Sequence, residues 1–131
     1  MSIYSQSNQA ELLLDAAVTL DAADTGKLIV IPVLAANRVI TLPAAQAGLH
    51  YRFMAAGTLS HSATITPATT GLINGLLITN ATGTLSGVAK TGANTVVMTA
   101  TAVLGDFVDC YCGDGISWHV NGMSQVTAGL S

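Results

Sequence analysis

Three histidines, His50, His61 and His119, and three late aspartates, Asp106, Asp109 and Asp114, are the side chains that catalysis or metal binding would draw on. Histidine titrates nearest neutrality and can move a proton, while a carboxylate orients the ring or holds a cation. Their spacing forms no His-Glu-x-x-His helix, Walker lysine loop, nucleophile elbow or EF-hand loop. An enzyme would need His50, His119 and Asp109 to converge within hydrogen-bonding reach in a cleft. The aspartates have two readings. Gathered at one end of a terminal hairpin, Asp106, Asp109 and Asp114 would hold a cation with carbonyl oxygens; singly, each would cap a turn, and turn capping is the expectation. Ser60-His61-Ser62 reads as a polar turn, and His119, next to Trp118 in a strand, points to the face opposite the tryptophan. No catalytic, cofactor or metal residue is assigned.

Cys110 and Cys112 flank one tyrosine. On a strand both point the same way, a spacing ill matched to a disulfide, and no further ligands complete a zinc site. They read as small buried hydrophobes. Trp118, the lone tryptophan, is expected to anchor the core of the terminal hairpin with Tyr111 and Val120; the rival role is an exposed stacking platform for a sugar.

The elements that would carry these side chains are short. Lys27–Leu34 is rich in β-branched residues, with Pro32 implying an edge or a bulge, and Arg38–Leu42 is stopped by Pro43. Further strands are expected at Leu49–Met54, Ala63–Thr66, Leu76–Thr79, Leu85–Val88, around Val96–Met98, and at Phe107–Cys112 and Ile116–Val120. Ala44–Gly48 suits a single helical turn. Asn74-Gly75 is a type I′ hairpin signal, and Asp114-Gly115 tolerates the positive φ of a turn. Gln9–Val18 is ambiguous between a docked helix and an extended segment, and Gly122–Ser131 is an arm or a final strand. Turns about every ten residues mark an all-β sandwich or jelly-roll-like barrel, with residues 1–14 as an extended N-terminal arm and 15–131 as the β-domain.

Composition narrows the function classes. The 131 residues are half apolar and 8% charged, with a net charge of −3. That suits one folded domain and excludes a disordered solvating chain. The basic residues Lys27, Arg38, Arg52 and Lys90 are scattered, so nucleic acid has no electrostatic footprint to bind. Thr, Asn and Gly interrupt every apolar run well short of the roughly 18 residues of a membrane span, and Met1–Asn8 lacks the basic start and apolar middle of a secretory signal. Between Phe53 and Gly105 the only charged residue is Lys90. Solvent-facing strand positions there are expected to be Thr, Ser, Asn and Ala, a neutral surface suited to burial against identical copies or a larger assembly.

The run Val39-Ile40-Thr41-Leu42-Pro43-Ala44-Ala45-Gln46-Ala47-Gly48-Leu49-His50-Tyr51-Arg52-Phe53 resembles a segment of tailed-phage virion proteins. It is followed by Gly105-Asp106 and by Asp114-Gly115-Ile116-Ser117-Trp118-His119-Val120-Asn121-Gly122. In that family a "TLP…AG…Y.F" segment and a terminal "GD…DG..W.V.G" hairpin bracket a Thr- and Gly-rich β-domain, and the resemblance spans about residues 18–122. It implies a capsid decoration (cement) protein that attaches to an assembled head, or a similar head-fibre or tail-fibre domain recognising a receptor or glycan. The expectation is a non-catalytic virion protein on the capsid exterior, partnered by the major capsid protein and by itself as a homotrimer, with no cofactor. Ile3, Tyr4, Leu12, Leu13 and Leu14 are candidate assembly contacts, with ordinary core as the alternative for the three leucines.

Overall fold

The computed structural model describes residues 10–12, 15–81, 83–126 and 128–131, the first three by backbone alone. Regular structure among them is almost entirely short strands. In chain order these are β1 (Ala10–Leu12), β2 (Val18–Thr19), β3 (Leu28–Ile31), β4 (Arg38–Thr41), β5 (His50–Ala55) and β6 (Ala63–Thr66), then β7 (Ile73–Thr79), β8 (Ser86–Ala93), β9 (Val96–Met98), β10 (Phe107–Tyr111), β11 (Trp118–Ser124) and β12 (Ala128–Leu130). Among the described residues one 3-10 turn, Ala22–Asp24, is closed by a capping box in which Asp21 accepts from the Ala23 N–H and Asp24 from the Asp21 N–H.

The strands form two mixed sheets, β1-β3-β5-β10-β11-β7-β8 and β12-β9-β6-β4-β2, giving the all-β sandwich expected from the turn spacing. Alternation decides which side chains meet between them. From the larger sheet come Ile29, Ile31, Tyr51, Phe53, Val108, Cys110, Trp118, Val120, Ile73 and Leu77; Ile40, Ala63, Ile65, Val96 and Met98 come from the smaller. Each large buried side chain contributes about 1.5–3 kcal/mol of transfer free energy. Trp118 and Tyr51 pack with ring centroids 5.9 Å apart, and the Tyr51 hydroxyl donates to the Asp21 carbonyl at 2.7 Å. Burial, then the nearby Asp24 and Asp21 charges, pushes this phenol up to about 12.

Several expectations change at this level. β3 ends at Ile31, so Pro32 lies beyond the strand and β3 sits inside the sheet between β1 and β5. Ala44–Gly48 makes no helical turn; the chain bends there and turns at Gly48, whose φ is 95°. Asn74-Gly75 lies within β7 and closes no hairpin. Gly75 is needed for a different reason: β7 runs parallel to β11, and a Cβ at residue 75 would overlap the Val120 carbonyl oxygen. The Asn74 side chain accepts from the Gly92 N–H at 2.9 Å, bracing the irregular register between β7 and β8. The chain after β11 returns as β12, an edge strand of the smaller sheet. Parallel pairings, β1–β3–β5, β2–β4–β6 and β7–β11, join the two sheets' distant segments, while β10–β11 is the expected terminal hairpin.

Candidate functional site

The register of the larger sheet arranges its outward side chains in rows. One row is apolar across five strands: Val30 on β3, Met54 on β5, Phe107 on β10, Met123 on β11 and Ile78 on β7. The next holds Leu28, Arg52, Asp109, Asn121 and Leu76, and the third holds His50, Tyr111, His119 and Asn74. Leu76 is 45% exposed, Ile78 36%, Met123 52% and Leu85 72%. Ile78, Leu85, Phe107 and Met123, together with Asp106 and Gln125, line a groove of about 260 Å³. These outward positions are more apolar than the Thr, Ser, Asn and Ala expected. The signal was present in Leu76-Leu77-Ile78, since an apolar triplet on a strand must turn some of its members away from the core.

Arg52, Asp109 and His50 meet on this outward face, with His119 in the row beside them, whereas His61, Asp106 and Asp114 lie apart in loops. Asp109 faces outward on β10, yet it is buried because Arg52 lies across it. Arg52 Nε and one terminal nitrogen donate to the two carboxylate oxygens at 2.6 Å each, and the guanidinium carbon stands 5.0 Å from the Phe107 ring centre. That pairing, foremost the hydrogen bond to Asp109, raises the Arg52 pKa above its ordinary value. His50 Nε2 lies 3.8 Å from Asp109 Oδ1, beyond hydrogen-bonding distance. His119 stacks on Tyr111 with centroids 5.7 Å apart. Both carboxylate oxygens of Asp109 are therefore engaged by Arg52, and the His50, His119 and Asp109 arrangement required for proton relay is not formed.

Asp106 and Asp114 close loops, as turn capping anticipates, whereas Asp109 lies within β10 and is bonded to Arg52 of β5 in place of a turn. Buried Asp106 accepts from the Val103 N–H at 3.1 Å, the Ser124 hydroxyl at 2.8 Å and the Gln125 N–H at 3.0 Å. Asp114 accepts from the Ile116 and Ser117 N–H groups at 2.8 Å and from the Ser117 hydroxyl at 2.7 Å. The Ser117 and Ile116 backbone bonds, then the Ser117 hydroxyl, hold this carboxyl far below the usual range. Gly115 beside it has φ of 74°, as its turn requires. Ser60 has φ of 64° in the polar turn, where His61 Nδ1 lies 2.8 Å from the Leu34 carbonyl oxygen. No group of three or more His, Cys, Asp or Glu side chains among the described residues is disposed to hold a metal ion. No helix among the described residues is long and apolar enough to cross a membrane.

Cys110 and Cys112 are free and buried, and burial, with the Asp109 charge, pushes the Cys110 thiol strongly upward. Trp118 is 1% exposed and offers no sugar platform. Tyr111 departs from the expected core role: its partners in the ladder are His50 and His119, on the outward face, and it is 43% exposed. Ile3, Tyr4, Leu13 and Leu14 lie outside the described residues, and Leu12 is described as backbone in β1. Comparisons with family models, curated proteins and solved structures find no match to this chain.

Proposed function

We propose that this chain is a non-catalytic structural protein of a tailed-phage-type virion, a decoration protein that binds the outer surface of an assembled head and stabilises it. The observation that supports the reading is the neutrality of the surface between Phe53 and Gly105. Leu76, Ile78, Leu85 and Leu104 meet solvent there, and Lys90, on edge strand β8, is the tract's one charged residue. Covering such a surface costs little, because few ions lose water, and a contiguous apolar patch on a small domain marks an interaction site. Many copies on a shell would replace a deep pocket with avidity, and preference for the intact lattice over dissociated capsid subunits would stabilise the particle by mass action. The partners are the major capsid protein and further copies of this chain.

The test is co-sedimentation of the purified protein with assembled heads that lack it, followed by thermal disruption of the particles. Saturable binding with a raised disruption temperature is expected. Heads that recover no protein, or that bind it and fall apart at an unchanged temperature, overturn the reading.

A further inference from the structure

We infer that the proposed shell contact is regulated by pH: protonation of His50 and His119 turns the neutral outward face of the seven-stranded sheet positive and releases the chain. This rests on the capsid reading above and adds a control to that same face. It is carried by where the two rings stand and by what surrounds them.

In the row of His50, Tyr111 and His119, the tyrosine is the ladder partner of both histidines, so two imidazoles flank one phenol on the outward face. The His50 side chain is 49% exposed, and His119 is half-buried against the Tyr111 ring. Along β10 this row lies four residues from Phe107, about 14 Å at the rise of an antiparallel strand. A contact of ordinary size, roughly 800 Å² on each partner, spans about 30 Å and reaches both rows.

Neither ring has a spare counter-charge on this chain. His50 Nε2 lies 3.8 Å from Asp109 Oδ1, but that oxygen already accepts from Arg52 Nε, and Oδ2 accepts from a terminal guanidinium nitrogen, at 2.6 Å each. Asp109 is thus matched before His50 gains a proton. The loop that bonds the His50 backbone through Thr25 and Gly26 brings Asp24 and Lys27, paired with each other at 2.8 Å, and Asp21, which caps its own turn. His119 has Tyr111 on one side and Asn74 on the other, whose side-chain oxygen is taken by the Gly92 N–H. Asp114, in the loop leading into β11, feels the His119 charge, but its oxygens are held by the Ile116 and Ser117 N–H groups and the Ser117 hydroxyl.

Histidine changes charge between about pH 5 and 8, and Arg52 and Asp109, the other charged side chains of the three rows, cancel each other. Acid therefore takes this face from neutral to doubly positive. Both rings are hydrated while the face is free; covering them as cations strips water from charges that nothing on this chain offsets. The shell binds the unprotonated form more tightly, and by linkage each proton taken up loosens the contact.

The experiment measures co-sedimentation of the full chain with assembled heads that lack it, at about pH 7.5 and about pH 5.5, for the wild type, His50→Gln, His119→Gln and the double variant. His61→Gln is the control, because His61 lies in the turn leading into β6 of the smaller sheet. The wild type and His61→Gln are expected to bind about tenfold or more weakly at the lower pH, the double variant to change by less than about threefold, and each single variant to fall between. Each protein is compared with itself, so an effect of acid on the heads appears in all of them alike. Circular dichroism at both pH values confirms that the variants are folded; should the double variant unfold, the two single variants carry the test. Wild-type binding that is equal at the two pH values, or tighter in acid, overturns the inference and leaves capsid attachment standing. A double variant that weakens as much as the wild type, or a response abolished by His61→Gln, does the same. Heads that recover no chain at either pH overturn capsid attachment, and the inference falls with it.

Discussion

Two neighbouring antiparallel pairs in the larger sheet, β10–β11 and β7–β8, are built on opposite rules. The β10–β11 hairpin is surrounded by carboxylates that are bonded to the chain's own groups. Asp106 ties the start of β10 to the turn after β11, Asp114 closes the hairpin loop, and Asp109 is locked to Arg52. Its inner face carries Trp118, Val120 and Cys110 into the core. The β7–β8 pair has one charged residue, Lys90, and β8 is exposed along most of its length with small side chains. Charge in this molecule closes loops, and the surface is left largely neutral. A domain built this way keeps its fold by local capping and a dense core while leaving one broad face free of desolvation cost.

The sharpest way to break the contrast is to remove the anchor of the first pair. Trp118→Ala deletes a side chain that is 1% exposed and packed on Tyr51, and it should destabilise the domain by about 3–5 kcal/mol. Denaturant unfolding followed by circular dichroism measures this without the lost fluorophore. A cost below about 1 kcal/mol would mean that the β10–β11 hairpin is not the centre of the core.

The second pair is sharpened by two glycines. Gly75 abuts the Val120 backbone, so Gly75→Ala forces β7 away from β11 and should cost about 2–3 kcal/mol. Gly87 on β8 faces open surface, and its added Cβ would meet only the movable end of Leu76 at 3.3 Å; Gly87→Ala should therefore stay within about 0.5 kcal/mol of the wild type. Equal melting temperatures for the two variants would erase the distinction between the buried and open sides of this pair.

These two regions also explain what the sequence made legible. The terminal hairpin announced itself through alternation and the Asp114-Gly115 turn, whose chemistry is local to a few residues. The β-branched runs at Leu28–Ile31, Arg38–Thr41 and Ala63–Thr66 were readable for the same reason, each bounded by a proline one or two residues later. The misreading of Asn74-Gly75 had a physical cause. Glycine serves a tight turn and a close backbone approach equally well, and only the parallel partner β11, over forty residues away, decides between them. Tyr111 was misplaced because its face depends on register, and a one-residue shift exchanges core for solvent. The outward rows were hidden for a related reason: Val30, Met54, Phe107, Met123 and Ile78 are scattered along the chain and become neighbours only through five strands' pairing.

The smallest expected effect concerns the ionic side of the comparison, and pH exposes it. Asp114 receives two backbone N–H bonds and the Ser117 hydroxyl, so its folded pKa lies well below the ~3.9 of an unfolded aspartate. A depressed folded pKa stabilises the native state above the unfolded value, and the contribution is lost as pH falls through the folded one. Asp114→Asn keeps an oxygen acceptor but has no charge to lose. Its melting temperature should lie below that of the wild type at neutral pH, and the gap should narrow once pH drops below about 4. Asp15 and Asp24, also held low by hydrogen bonds to Arg38 and Lys27 respectively, titrate in both proteins and cancel in the difference. The observable is thus the gap between two melting curves and not the slope of either. A gap that persists unchanged into acid would show that the loop depends on the shape of residue 114 and not on its charge, leaving Asp106 to carry the ionic fastening of the hairpin.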